Sequence, residues 1–126
     1  MRYLGLDWGL KYIGSAFSEG DFVRLGPELK VKSLQDAINQ VVNLALKEQF
    51  EVLVVGLPEG EMGENIFKVI GMLRQKGLTV ETADETLSSQ DALREMIKIG
   101  VGKKNRQNTH SAAAATILQR YLDEKR

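Results

Sequence analysis

Two acidic positions in this chain stand where an apolar, strand-like segment gives way to a turn. Asp7 follows Arg2–Leu6, and Asp84 and Glu85 follow Leu78–Ala83. In open α/β sheets, ligands collect beyond the carboxyl ends of the parallel strands, so carboxylates far apart in sequence can converge there. Between them lies another apolar run, Val52–Gly56, closed by Leu57-Pro58, which lets backbone approach the same crevice. Oxygen ligands grouped in this way suit Mg²⁺ or Mn²⁺ rather than zinc. Such ions activate water and stabilise the leaving oxygen when a phosphodiester is cleaved. Phosphate contacts have candidates as well: Lys11 close behind Asp7, and Lys103, Lys104 and Arg106 in the glycine- and base-containing loop Gly100–Asn108.

Each of these residues also has a plainer reading. Asp7 can serve as a turn-former after a strand, and Asp84 or Glu85 can cap a following helix. With Glu85 as the ligand, Asp84 becomes the supporting carboxylate that steadies it. A basic run is commonly a solvated loop. Glu59, Glu61 and Glu64 form an acidic stretch that would repel a phosphate backbone if it lined the crevice, and a solvated face is the simpler account. Trp8 has the shape to stack on a base, but beside a first strand it is more readily a packing residue.

The elements that must position these groups follow from hydrophobic period. Arg2–Leu6, Tyr12–Phe17 and Phe22–Leu25 read as three strands joined by tight turns, an antiparallel meander. Gly14 inside the second strand implies a close backbone approach. From Ser33 to Glu48 the period becomes helical, with Leu34, Ala37, Ile38, Val41, Val42, Ala45 and Leu46 recurring at helical spacing and Ser33 as N-cap. Val52–Gly56 reads as a central parallel strand, Ile66–Arg74 as a helix stopped by Gly77, and Leu78–Ala83 as a further strand. Ser88 opens a helix to about Ile99, and Thr109–Glu124 forms the last one. The order β-β-β-α-β-α-β-α-α predicts one α/β domain over residues 1–126, a mixed sheet of about five strands with helices on both faces.

Bulk properties narrow the function classes. The 126 residues contain no cysteine, which excludes a disulfide framework and a thiolate zinc site. The 17 Lys and Arg balance 17 Asp and Glu, so a polyanion must be held by a local patch rather than by overall charge. No apolar run is long enough to span a bilayer, so no membrane partner is expected. The first residues enter a strand without a signal-peptide pattern, and the default compartment is the cytoplasm. Gly5, Gly9 and Gly14 make neither a P-loop nor a dinucleotide fingerprint, because the spacing is wrong and the terminal Lys-Ser/Thr is missing.

Four segments carry a specific resemblance. Asp7-Trp8-Gly9-Leu10-Lys11-Tyr12-Ile13-Gly14-Ser15-Ala16 is similar to the D-x-G-x-K-x-I-G-x-A opening of the YqgF family. Val54-Val55-Gly56-Leu57-Pro58 resembles its V-V-G-L-P strand end, and Asp84-Glu85-Thr86-Leu87-Ser88 its D-E-R-L-S/T segment. Ala112-Ala113 through Ile117-Leu118-Gln119-Arg120-Tyr121-Leu122 resembles its final A-A-x-x-I-L-Q-x-Y-L helix. The matches fall in family order and span nearly the whole chain. The family consists of RNase H-like proteins described as Holliday-junction resolvases or pre-16S ribosomal RNA nucleases.

The resemblance implies an RNase H-like fold and a divalent-metal-dependent endonuclease for structured RNA or branched DNA, working as a monomer or homodimer. It places Asp7 and Glu85 in two catalytic, metal-holding slots. A third slot, an Asp at the start of the last helix in the family, holds His110 here, and Thr86 stands where the family has Arg. A neutral imidazole at a helix N-terminus can coordinate, and it suits Mn²⁺ better than Mg²⁺. The same departures motivate an alternative, a nucleic-acid-binding module that kept the fold and lost cleavage, since phosphate gripping needs no metal.

Overall fold

The computed structural model describes residues 1–9, 11–20, 22–57, 62–84 and 109–125. The strands are β1 (Arg2–Trp8), β2 (Tyr12–Glu19), β3 (Phe22–Leu25), β4 (Leu29–Lys30), β5 (Val52–Leu57) and β6 (Val80–Asp84). The helices are α1 (Leu34–Glu48), α2 (Met62–Gln75) and α3 (Thr109–Glu124). The sheet runs β3-β2-β1-β5-β6, with β4 pairing β2 off this path. The first three strands form the expected antiparallel meander, and β5 and β6 extend β1 in parallel. The carboxyl ends of β1, β5 and β6 therefore lie at one edge of the sheet.

The structure moves several boundaries and adds one strand. Strand β1 does not stop at Leu6: Asp7 and Trp8 continue it, opposite Gly14 and Ile13. Helix α2 begins at Met62, four residues before the expected Ile66. The two-residue β4 was not expected, because its hydrogen bonds to Tyr12 and Ile13 are tertiary and leave no local period. The predicted helix over Ser88–Ile99 and the loop Gly100–Asn108 lie outside the described residues.

Side chains alternate across a strand with a period of two, and this sorts the sheet into two faces. Leu4, Leu6, Ile13, Leu53, Val55 and Val80 pack with Ala37, Ile38, Val41 and Ala45 of α1 and Ile66, Val69, Ile70 and Leu73 of α2. Ala16 and Val54 pack on the opposite face with Ala114, Ile117, Leu118, Tyr121 and Leu122 of α3. Helices thus cover both faces, as the element order implies. Trp8 keeps phase with Leu4 and Leu6 and packs against the α1–α2 core. Asp7 keeps phase with Tyr3 and Gly5, on the α3 side.

Local chemistry fixes the helices in place. Ser33 caps α1: its Oγ accepts from the Asp36 N–H at 3.1 Å, and Asp36 Oδ2 accepts in return from the Lys32 N–H at 2.9 Å. Loss of such a cap costs about 1 kcal/mol. Helix α3 lies so close to the sheet that two strand positions admit no side chain. A Cβ at Gly5 would come within 2.8 Å of Leu118 Cβ, and one at Gly14 would sit 1.9 Å from the His110 carbonyl oxygen. Gly14 is therefore where the first turn of α3 rests its backbone directly on β2.

Candidate active site

The seating of α3 on Gly14 carries His110 to the end of β1. Its Nδ1 lies 3.6 Å from Asp7 Oδ2, bringing together residues from opposite ends of the chain. Asp7 is largely shielded, with its side chain 15% exposed, whereas the imidazole is 42% exposed. The Tyr12 ring stacks beside His110, with centroids 6.1 Å apart and planes 22° from parallel. The first turn is also tied down by Ser111, whose buried Oγ accepts from the Ser15 N–H at 3.3 Å.

One further carboxylate stands at this site, and sequence reasoning missed it. Glu28 Oε1 lies 3.9 Å from His110 Nε2. Glu28 belongs to no recognisable motif, and it reaches the site only because β4 pairs with β2, placing Leu29 opposite Ile13. Tyr12 was likewise unmarked. Its alternation with Ile13 was readable, but its ring contact depends on where α3 starts.

The other expected site residues divide simply. Lys11 is exposed in the turn before β2, and its carbonyl accepts from the Val31 N–H at 2.8 Å. Asp84 is the last residue of β6, opposite Leu57 of β5. Glu85, Lys103, Lys104 and Arg106 lie outside the described residues, as do Glu59 and Glu61.

Among the described residues, no group of three or more His, Cys, Asp or Glu side chains is arranged to hold a metal ion. The Asp7–His110 pair still offers one oxygen and one nitrogen donor on the same side. Neighbouring ligands of a six-coordinate ion with bonds of about 2.1 Å stand about 3 Å apart. The observed 3.6 Å is slightly wider than that spacing, so the two donors fit one cation with a small side-chain adjustment. A mixed oxygen–nitrogen pair is better matched to Mn²⁺ than to Mg²⁺. No helix among the described residues is long and apolar enough to cross a membrane.

A mixed sheet with its meander first and helices on both faces is the RNase H-like fold, and solved structures share it. The fowlpox virus Holliday junction resolvase superposes with a TM-score of 0.71 at 13% identity, covering 100% of both chains. RuvC of Thermus thermophilus superposes with a TM-score of 0.61 at 14% identity, covering 99% of this chain and 97% of its own. At the level of sequence, the family described as "RuvX: Holliday junction resolvase" matches residues 1–124. A relative from Natranaerobius thermophilus, described as "Putative pre-16S rRNA nuclease", is 35% identical over 99% of this chain and 96% of its own. Another of the same description, from Syntrophomonas wolfei, is 35% identical over 98% and 94%. The chain belongs to the RuvX family, in keeping with the YqgF-type motifs of its sequence.

Proposed function

We propose that this chain is a single-domain, cytoplasmic, divalent-metal-dependent endonuclease acting on structured nucleic acid. The observation that carries the reading is the 3.6 Å approach of His110 Nδ1 to Asp7 Oδ2, at the sheet edge where the parallel strands end. The relatives' descriptions favour precursor ribosomal RNA as substrate, and branched DNA is the other candidate. A junction has two symmetric strands to cut, so that substrate would call for a homodimer, whereas an RNA substrate is compatible with a monomer.

Asp7 and His110 would hold the cation, with Glu85 as the third ligand and Asp84 steadying it. When bound, Mg²⁺ or Mn²⁺ supplies charge for the scissile phosphate and acidifies the attacking water. The chain's own share is positional. Gly14 seats the first turn of α3, the turn presents His110, and the phase of β1 turns Asp7 toward it. Lys11, with Lys103, Lys104 and Arg106, would grip phosphates and fix the register of the backbone.

The test uses purified protein with labelled structured RNA and a four-way DNA junction, in Mg²⁺ and in Mn²⁺, beside Asp7→Asn and His110→Asp. Cleavage by the wild type in Mn²⁺, lost in Asp7→Asn, is the expected result. A wild type that binds both substrates and cuts neither in either metal overturns the enzyme reading in favour of a binding module. Gain of cleavage in His110→Asp would then show the third slot to be the cause.

A further inference from the structure

We infer that Glu28 is a positioning residue for His110, holding the imidazole so that its Nδ1 lone pair faces the cation shared with Asp7. The inference rests on the nuclease reading and adds to it a group that the sequence motifs do not contain. A neutral imidazole has one N–H and one lone pair. His110 stands between two carboxylates, Nδ1 toward Asp7 and Nε2 toward Glu28. For Nδ1 to act as a ligand it must carry the lone pair, so the proton sits on Nε2 and needs an acceptor. Glu28 is the carboxylate on that side. Histidine ligands commonly donate their second N–H to a carboxylate, which fixes both tautomer and ring orientation.

The fold is built to put Glu28 there. Ser15, fully buried in β2, holds both partners. Its N–H donates to Ser111 Oγ in the first turn of α3, next to His110. Its carbonyl accepts from the Gly26 N–H at 2.8 Å, and its hydroxyl donates to the Pro27 carbonyl. The segment Gly26-Pro27-Glu28 is therefore clamped to the same residue that anchors the helix. The fit is close enough that a Cβ at Gly26 would lie 2.5 Å from Ser15 Oγ. The Glu28 side chain is only 26% exposed, so its charge has given up much of its water and gains from a donor nearby. The Tyr12 ring against the imidazole limits the remaining rotation.

The chain has a single histidine, which makes the inference directly measurable. Long-range ¹H–¹⁵N correlation of the metal-free, full-length protein, with the imidazole in its neutral form, reads the tautomer of His110 alone. Mn²⁺ by itself is then titrated, with free ion followed by EPR and broadening of the imidazole signals followed by NMR. In the wild type the Nε2–H form dominates and Mn²⁺ broadens the ring. Glu28→Ala shifts the population toward Nδ1–H, because Asp7 is then the acceptor at hand, and weakens Mn²⁺ binding by about 10-fold or more. Glu28→Gln, which keeps an acceptor oxygen, restores part of both. Matching backbone spectra for the variants confirm that the fold is intact. Mn²⁺ binding in Glu28→Ala that equals or exceeds the wild type overturns the inference while leaving the nuclease reading standing. So does weaker binding with an unchanged tautomer, which would mean that Glu28 acts by charge alone. If Mn²⁺ leaves the wild-type imidazole unbroadened, no cation sits between Asp7 and His110, and both readings fall.

Discussion

The two ends of α3 both bring a polar ring to the sheet, and they do it differently. At the C-terminal end, Tyr121 is buried and its hydroxyl donates to Glu81 Oε2 at 2.8 Å. Lys125 closes the group, 3.7 Å from the same Glu81 oxygen and 5.3 Å above the Tyr121 ring, and Tyr3 packs against that ring at 5.8 Å. At the N-terminal end, His110 is half-exposed and faces two carboxylates at 3.6 and 3.9 Å, both beyond hydrogen-bond length. The first cluster is closed by one true hydrogen bond, from the Tyr121 hydroxyl to Glu81. The second has no such bond: on the proposed reading Asp7 and His110 stand near the spacing of two ligands of one cation, with Glu28 beside the imidazole. A structural cluster and a proposed site can thus share one helix, told apart by whether a hydrogen bond joins their members.

Asp7→Asn should break the comparison most. It keeps the shape of the side chain and removes the charge that a cation needs. A direct ligand should cost more than the 10- to 100-fold typical of its supporting partners, so cleavage is expected to fall by more than about 100-fold. Thermal unfolding should stay close to wild type, because Asp7 has no hydrogen bond to lose at its 3.6 Å contact. An Asp7→Asn protein that unfolds early would place Asp7 with the structural cluster instead. Next comes Gly14→Ala. The new Cβ meets the His110 carbonyl at 1.9 Å, a backbone atom that cannot swing aside. Lifting the start of α3 should cost at least about 3 kcal/mol in a urea titration, the upper range for overpacking. It should also move His110 away from Asp7, so cleavage by the folded fraction falls too.

What the sequence disclosed and what it withheld follow the same division between local and tertiary causes. The meander, the switch to helical period at Ser33, and the limits of Phe22–Leu25 and Thr109–Glu124 were readable because each depends on neighbouring residues. Asp7 was readable as a candidate from its place after an apolar run together with the family-like motif around it. Its face was not, since that required knowing that β1 runs on to Trp8. The strand position of Gly14 signalled a close approach, but the partner, the His110 backbone, comes from the far end of the chain. Glu28 carried no signal at all: β4 has two residues, and nothing in Pro27-Glu28-Leu29 reveals that its pairing ends beside His110. His110 stood out only against the family pattern that the sequence motifs resemble.

The smaller predictions sharpen the structural side. Tyr121→Phe removes one hydroxyl whose bond to Glu81 is worth about 1 kcal/mol, and Glu81 keeps Lys125 as a partner. Burial, and then the hydrogen bond to Glu81, raise the Tyr121 phenol above its ordinary pKa of 10.0. Folding therefore favours the protonated phenol. Its contribution is fully present below the unfolded value of about 10 and is lost as pH rises from there toward the folded pKa. Wild-type stability should accordingly decline faster with pH above that point than that of Tyr121→Phe, and the two urea midpoints should converge. Cleavage at neutral pH should be the same in both proteins. Lys125→Gln should do less still. Its head group is 56% exposed and Glu81 is 41% exposed, so the ion pair is screened and its loss should stay within about 0.5 kcal/mol. A larger loss would mean that the ammonium over the Tyr121 ring, rather than the ion pair, holds the end of α3, and Glu81→Gln, which removes the ion pair while keeping the ammonium over the ring and an acceptor for the Tyr121 hydroxyl, would separate the two.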